Sequence, residues 1–254
     1  SESDYKILDS IIRTAKSDAT NIKDTKTVLS EPIHPLCFGS DFHGPEQINI
    51  DICNEEQKQY LYKNNPDNDH INFSAEYPPI EGYDISIGGV GYKILKEDDK
   101  NFVIYMIDDH GGTSSVSNIL SYKKDGNLLT DKIVVSSHDD RKRARSIEYS
   151  NITENGIDFT VGTNGSEFVQ ITYPDTDNIV NDGWEEYMLV QYRYDFLTRT
   201  KKVVSALLYG EVYNSDKCFY KVAQDYIFPD QNEVKLTPTQ INELNKKFMD
   251  TCIE

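Results

Sequence analysis

Three patterns of apolar and polar residues divide the chain into regions. Apolar residues recur at helical spacing near the N-terminus and predict an amphipathic helix over residues 3–24. Residues 28–79 lose that periodicity among Pro, Asn, Asp and His, which predicts an irregular segment with a short helix around residues 55–62. Helical spacing returns at the end of the chain and predicts a C-terminal helix over residues 237–252.

The middle of the chain, residues 83–224, has the pattern of antiparallel strands. Apolar and β-branched runs alternate there with turn residues at a spacing of about ten. Glycine in the turns Asp125-Gly126-Asn127 and Glu154-Asn155-Gly156 supplies positive φ and predicts two hairpins. The predicted strands are residues 102–107, 119–123, 128–136, 146–152, 157–161, 168–173, 187–194, 202–212 and 219–223. A sheet of about eight or more strands is wide enough to curl or to split into two layers.

These regions define a fold class. Thr237 and Gln240 have the spacing of a capping box before the last helix, with Pro238 at its first position. No linker, internal repeat or low-complexity segment divides the chain, so we expect one domain, residues 1–254. The predicted class is α+β, β-dominated: a large antiparallel sheet or two-layer sandwich, flanked by an N-terminal and a C-terminal helix.

The four cysteines lie in the outer parts of the chain: Cys37 and Cys53 come before the central β region, Cys218 lies near its end and Cys252 comes after it. An even set of cysteines near the less regular ends favours disulfides, and hence an oxidising compartment. Pairing Cys37 with Cys53 and Cys218 with Cys252 would stabilise the fold by about 3 to 4 kcal/mol each. Four cysteines allow three pairings, and four reduced, buried thiols are the alternative.

The charge excludes some partners. With 43 acidic and 26 basic side chains, the formal net charge is -17, which repels nucleic-acid phosphates and attracts a cationic protein partner. Solubility alone is the simpler explanation of this charge. No apolar run is long enough for membrane insertion. The first residues carry no basic and apolar leader, as expected of a processed exported protein and equally of a cytosolic one.

The leading candidate site is Asp108-Asp109-His110, directly after the most apolar predicted strand. Two carboxylates and an imidazole could serve acid and base roles, but neighbours on an extended chain point in alternate directions. We therefore favour a polar turn over catalysis, and a partner-contact loop as its functional interpretation.

A second candidate segment combines acids and bases. Ser137-His138-Asp139-Asp140 holds the residue types of a hydrolase triad, but a triad is assembled from separate parts of a fold. The basic run that follows is a solvated hairpin end or a contact patch for an acidic feature of a partner. The partner-binding residues that we predict are Asp108, Asp109, His110, Asp139, Asp140, Arg141, Lys142 and Arg143.

The sequence contains only partial matches to motifs that bind phosphate, zinc or calcium. The run from Gly88 to Lys93 lacks the spacing of a phosphate-binding loop, so we interpret it as a bulge or tight bend. The five histidines lack zinc-site spacing, and no cofactor is predicted. Hard oxygen ligands that keep calcium as an alternative are Asp175, Asp177, Asn178, Asn181 and Asp182. Three glycosylation signatures, at Asn72, Asn151 and Asn164, occur about as often as chance allows in such a composition.

From these observations we expect a non-enzymatic, exported binding protein. Its most concrete form is a periplasmic or secreted inhibitor or immunity protein that blocks a cationic toxin or hydrolase. One alternative is a hydrolase in which Asp108, Asp109 and Asp139 meet His110 or His138 in a cleft of the sheet. The other is a calcium- or carbohydrate-binding sandwich, whose melting temperature would rise with calcium.

Overall fold

The computed structural model describes residues 32–39, 43–68, 70–79, 88–109, 111, 115–139, 147–176, 188–209, 217–224, 226 and 233–253. The helix predicted over residues 3–24 lies outside the described residues. The described ranges contain two antiparallel sheets, four α-helices and one 3-10 turn.

The first sheet has seven antiparallel strands. Their bounds are Ile48–Asn49 (β1), Tyr62–Asn64 (β2), Phe73–Glu76 (β3), Gly89–Glu97 (β4), Asn101–Asp109 (β5), Ser115–Asp125 (β6) and Leu128–Asp139 (β7). The strand order is β1-β7-β6-β5-β4-β3-β2. β6 and β7 form the first predicted hairpin, with Gly126 in the turn at a φ of 56°. That left-handed conformation favours glycine, so this hairpin prediction is confirmed together with its reason.

The second sheet has five antiparallel strands. Their bounds are Glu148–Ile152 (β8), Gly156–Thr163 (β9), Met188–Asp195 (β10), Thr200–Tyr209 (β11) and Glu233–Leu236 (β12), in the order β12-β11-β10-β9-β8. β8 and β9 form the second predicted hairpin, which is confirmed. Its predicted reason is not, because Gly156 does not have a positive φ; glycine is required there because a Cβ would lie 2.4 Å from the Tyr194 carbonyl oxygen. The Thr153 hydroxyl donates to the Gly156 carbonyl at 3.0 Å and accepts the Gly156 N–H at 3.1 Å, which closes the turn.

The helices are Ile50–Gln57 (α1), Gly165–Gln170 (α2), Lys217–Ala223 (α3) and Pro238–Cys252 (α4), and the 3-10 turn is Pro35–Cys37. α1 leads from β1 to β2, which are opposite edges of the first sheet. Seven flat strands would span about 29 Å, whereas an eight-residue helix rises only about 12 Å. The residues that follow α1 are not extended, because residues 58–60 form a turn in which the Tyr60 N–H donates to the Gln57 carbonyl at 2.9 Å. The link is therefore too short for a flat sheet, and the sheet curls and brings its edges towards each other.

Three apolar clusters separate four layers. In the central cluster, Val103 and Tyr105 of the first sheet meet Ile157 and Phe159 of the second. The other face of the first sheet packs under the 3-10 turn and α1, and the other face of the second sheet packs against α2, α3 and α4. The β-dominated α+β class, the split into two sheet layers and the C-terminal helix are therefore confirmed.

Two disulfides fasten the outer layers. Cys37 of the 3-10 turn bonds Cys53 of α1, with Cα atoms 5.9 Å apart. Cys218 of α3 bonds Cys252 of α4, with Cα atoms 5.8 Å apart. Both separations are ordinary for disulfides. The structure thus selects one of the three pairings, and two disulfides are typical of an oxidising environment outside the cytosol.

Two predicted strands are wrong. Residues 168–173 were expected to be extended, but the chain forms α2 and then a turn. The physical reason is a capping box: the Asn164 side chain accepts the Glu167 N–H at 2.8 Å, and the Glu167 carboxylate accepts the Asn164 N–H at 3.0 Å. Residues 219–223 lie in α3 instead of a strand. There, the disulfide and the contact of Phe219 with Phe248 of α4, at 5.2 Å between ring centroids, favour helix-on-helix packing.

The segment over residues 28–79 is more regular than expected. It contains β1, α1, β2 and β3, and the helix predicted around residues 55–62 begins earlier, at Ile50, and ends at Gln57. The Asn49 side chain accepts the Ile52 N–H at 3.1 Å and so starts this helix. The glycine-rich run from Gly88 to Lys93 opens strand β4 and is not a tight bend, while the register of β4 against β5 shifts later, between Ile94 and Lys96.

Candidate functional site

The two neighbouring acids of the leading candidate site, Asp108 and Asp109, point to opposite faces of the sheet. Asp108 is 0% exposed, and the Tyr77 hydroxyl donates to its Oδ1 at 2.5 Å. Asp109 is exposed, and its Oδ1 accepts the Gly111 N–H at 2.8 Å. The alternation along β5 explains the split, because Asp108 shares its face with the buried Met106. Only Asp109 of this pair can therefore offer its carboxylate to a partner.

The surroundings of Tyr77 leave little space around its hydroxyl group. Burial, and then the hydrogen bond to Asp108, raise the pKa of the Tyr77 hydroxyl well above its usual value. A Cβ added to Gly39 would come within 2.6 Å of that hydroxyl oxygen. Tyr77 and Asp108 are thus a structural contact that joins the chain after β3 to the end of β5.

A second polar contact lies on the same face of the sheet. The Nδ1 atom of the exposed His43 is 3.5 Å from Oδ1 of the buried Asn118 and 3.4 Å from the Ser137 hydroxyl. Both neighbours meet the same ring nitrogen. In a hydrolase relay, the serine and the orienting residue meet opposite nitrogens of the histidine. This arrangement therefore lacks the geometry of that relay.

The other predicted contact residues are placed only in part. Asp139 ends β7, but its side chain is not among the described ones. Ser137 is exposed and His138 is buried, as alternation along β7 requires. The remaining candidates, His110, Asp140, Arg141, Lys142 and Arg143, lie outside the described residues.

Leu61 is a surface feature that the sequence patterns did not indicate. Its side chain is 94% exposed, and Tyr62 beside it is also exposed. The helix predicted around residues 55–62 would have included Leu61. In the structure α1 ends at Gln57 and leaves Leu61 in the link to β2. A single exposed leucine needs no explanation in general. What distinguishes Leu61 is how firmly the residues on either side of it are held.

His34 holds that link. Its buried ring accepts the Leu36 N–H at Nδ1, at 3.2 Å, so the ring proton lies on Nε2, which donates to the Tyr60 carbonyl at 3.0 Å. The Tyr62 ring meets the His34 ring edge-on, with centroids 5.2 Å apart. The backbone N–H of His34 donates to the Asn54 side chain of α1 at 2.8 Å. Both neighbours of Leu61 are therefore fixed to one buried residue.

Acidic side chains lie close to Leu61 in the chain. Glu55 and Glu56 are exposed at the end of α1, and Lys58 forms an ion pair with Glu55. We call Glu55, Glu56, Leu61 and Tyr62 the Leu61 surface. The Cys37–Cys53 disulfide ties its helix to the 3-10 turn. The Leu61 surface thus combines exposed apolar area with a rigid support, and of its two acids Glu55 is paired with Lys58.

Two further features of the described residues concern metal binding and membrane crossing. Within the described ranges, no three His, Cys, Asp or Glu side chains are grouped as a metal ion would require. Asp175 lies in a described turn, whereas the other acids and amides considered for calcium lie outside the described residues. None of the described helices combines the length and the hydrophobicity that crossing a membrane requires.

The fold and this surface define the chain as a disulfide-fastened, β-dominated α+β protein with an exposed leucine whose neighbours are held by His34. Neither a protein-family profile, nor a curated protein, nor a solved structure matches it.

Proposed function

We propose that this chain is an exported, non-enzymatic protein-binding protein. Its most concrete form is an inhibitor or immunity protein that blocks a cationic toxin or hydrolase in the periplasm or outside the cell. The observation that carries the proposal is the Leu61 surface, where a leucine that is 94% exposed lies between two fixed neighbours. Preorganised apolar anchors lose little conformational freedom on binding and contribute most of the affinity in many interfaces.

The charge supports a cationic partner. The chain carries a net charge of -17, and of the two acids that precede Leu61 in the same stretch, Glu55 is paired with Lys58 while Glu56 is exposed. Such a field speeds the encounter with a positively charged protein, and the effect weakens as salt screens it. The exposed Asp109 is a further predicted contact, whereas the buried Asp108 supports its strand from within.

The two disulfides support an exported compartment. Both disulfides lie in the layers that cover the sheets, where they stabilise the support of the Leu61 surface and the C-terminal helices. Disulfides persist in the periplasm and in secreted proteins. The support of the Leu61 surface would therefore stay intact in an inhibitor or immunity protein that meets its target there.

The test uses the chain and two matched variants. Immobilised wild-type protein is exposed to the periplasmic and secreted proteins of the producing cells, and a retained basic protein is identified by mass and purified. Affinity is then measured for wild type, Leu61→Asp and Leu197→Asp. Leu197 is also highly exposed, at 87%, but lies in the turn between β10 and β11, so its variant is the control.

We expect Leu61→Asp to weaken binding at least tenfold, or about 1.4 kcal/mol, and Leu197→Asp to bind like wild type. Affinity should also fall between about 50 and about 500 mM salt. A retained partner that binds Leu61→Asp as tightly as wild type, or that is indifferent to salt, would contradict the proposal.

A further inference from the structure

Three asparagines have the Asn-X-Ser/Thr signature of N-glycosylation, and the structure separates them. They are Asn72, Asn151 and Asn164. In each case the acceptor is the side-chain nitrogen Nδ2, which must give up a hydrogen and carry a bulky sugar. The site that suits this chemistry is therefore exposed and has an Nδ2 that the fold does not require.

Asn72 does not meet that condition. Its Nδ2 donates to the carbonyls of Asn65, Pro66 and Asn68, at 3.3, 3.3 and 3.1 Å. These bonds close the loop between β2 and β3. A sugar on Nδ2 would replace one of its two hydrogens and break part of this network.

Asn164 is half-buried and caps α2. Its side-chain oxygen accepts the Glu167 N–H at 2.8 Å, which fixes the orientation of the amide. The next residue, Gly165, is buried. A sugar at this position would have to fit beside a packed helix start.

Asn151 has neither constraint. It is exposed on β8, the edge strand of the second sheet. Within the described residues, its Nδ2 meets only Oδ2 of Asp158, at 3.5 Å, which is at the limit of a hydrogen bond. Thr153, which completes the signature, is exposed in the turn that follows.

We propose that Asn151 is the N-glycosylation site of this chain during export. The donor is an oligosaccharide linked to a lipid pyrophosphate. Nδ2 forms a C–N bond to the anomeric carbon, the C–O bond to the pyrophosphate breaks, the lipid pyrophosphate leaves, and the amide loses one proton to a base of the transferring enzyme. The inference rests on the exported compartment of the proposed function, but it does not depend on the protein partner.

A glycan on Asn151 would protect an edge of the second sheet. The other sheet edges are short or carry charge: β1 has two residues, β2 contains Lys63, and β12 contains Glu233 and Lys235. β8 has five residues and is longer than these edges; it carries one charged residue, Glu148, together with the half-buried Tyr149 and Ile152. Its pairing with β9 shifts register between Tyr149 and Asn151. Exposed edge strands pair with other chains unless they are covered, and a sugar on Asn151 would cover this one.

The test uses the full chain behind a secretion signal in a eukaryotic host that performs N-glycosylation. Intact mass is measured on cell-associated and secreted protein, before and after an N-glycosidase that converts a glycosylated asparagine into aspartate. The variants are Asn151→Gln and, as the control, Asn164→Asp. The aspartate still accepts the N-cap hydrogen bond at the start of α2, but it has no nitrogen that could carry a sugar.

We expect one glycan, conversion at Asn151 alone, loss of the glycan in Asn151→Gln and its retention in Asn164→Asp. An unmodified chain with both disulfides formed, or a glycan on Asn72 or Asn164, would overturn the inference. A chain with a glycan on Asn151 that retains no partner would uphold this inference and refute the proposed function, so the two failures are distinct.

Discussion

At the scale of single residues, the contact between Tyr77 and Asp108 decides what the leading candidate site is. A carboxylate that is 0% exposed needs donors, and the Tyr77 hydroxyl supplies one at 2.5 Å. Hydrogen bonds to charged groups contribute about 1.5 to 3 kcal/mol, and the larger cost falls on a buried group that loses its partner. The contact is therefore a strong stabilising interaction between two separate segments.

We expect Tyr77→Phe to lower the free energy of unfolding by about 1.5 to 3 kcal/mol, because it removes a donor to a buried carboxylate. Urea unfolding followed by circular dichroism measures this change. Tyr62→Phe is the control, since Tyr62 is exposed and lies outside this bond, and a change within about 0.5 kcal/mol is expected for it. Equal effects of the two variants would contradict the assignment.

Only part of this contact could be predicted from the sequence. Alternation along β5 was enough to show that Asp108 and Asp109 point to opposite faces. It could not show that Tyr77, 31 residues away, would meet Asp108, because that contact depends on the pairing of β3 with β4 and of β4 with β5. Leu61 was missed for a related reason, since its exposure depends on where α1 ends.

At the scale of elements, α2 is held at its start by a capping box. Asn164 and Glu167 each accept the backbone N–H of the other, at 2.8 and 3.0 Å. Loss of an N-cap side chain costs about 1 kcal/mol, and aspartate caps as well as asparagine does.

Asn164→Ala should therefore lower the free energy of unfolding by about 1 kcal/mol, while Asn164→Asp should leave it nearly unchanged. The measurement is the midpoint of urea unfolding at constant slope. If both substitutions cost the same, the cap would not be the reason for the helix at this position.

The helix α4 and the two short segments that were wrongly predicted as strands show when an element can be predicted from the sequence. α4 was predicted with its start, because Thr237, Pro238 and Gln240 mark the cap and a long apolar stripe follows. The short apolar runs at residues 168–173 and 219–223 were predicted as strands, because a run of four to eight apolar residues fits a strand and a buried helix about equally well. The capping pair Asn164 and Glu167 is present in the sequence, but the strand prediction did not take it into account.

At the scale of the whole molecule, the two disulfides hold the outer layers onto the sheets. They close loops with sequence separations of 16 and 34 residues. In the chain-entropy description these loops correspond to about 3 and about 4 kcal/mol.

Replacing Cys218 and Cys252 with Ser should therefore destabilise the protein slightly more than replacing Cys37 and Cys53, by about 4 against about 3 kcal/mol. Urea unfolding of both double variants tests the order. Intact mass after alkylation, with and without prior reduction, is the control for pairing, and alkylation of unreduced wild type at four sites would contradict the disulfides themselves.

Buried tyrosines connect the packing of all layers to pH. Burial raises the pKa of five tyrosine hydroxyls, and that of Tyr192 reaches about 12; the other four are Tyr77, Tyr92, Tyr105 and Tyr122. An unfolded tyrosine titrates at about pH 10. Above that pH the folded state binds more protons than the unfolded state, so the stability that these groups contribute is present below about pH 10 and declines as pH rises further.

The fold should consequently unfold cooperatively above about pH 10, and the tyrosinate that comes from these five buried tyrosines should appear in the same step rather than before it. Absorbance of tyrosinate near 295 nm and far-ultraviolet circular dichroism, followed on the same samples at increasing pH, measure the two events. Because the buried rings lie in all three clusters, one shared transition would show that the layers unfold together. Gradual ionisation of all tyrosines near pH 10, with the sheet signal unchanged, would contradict the burial that raises these pKa values.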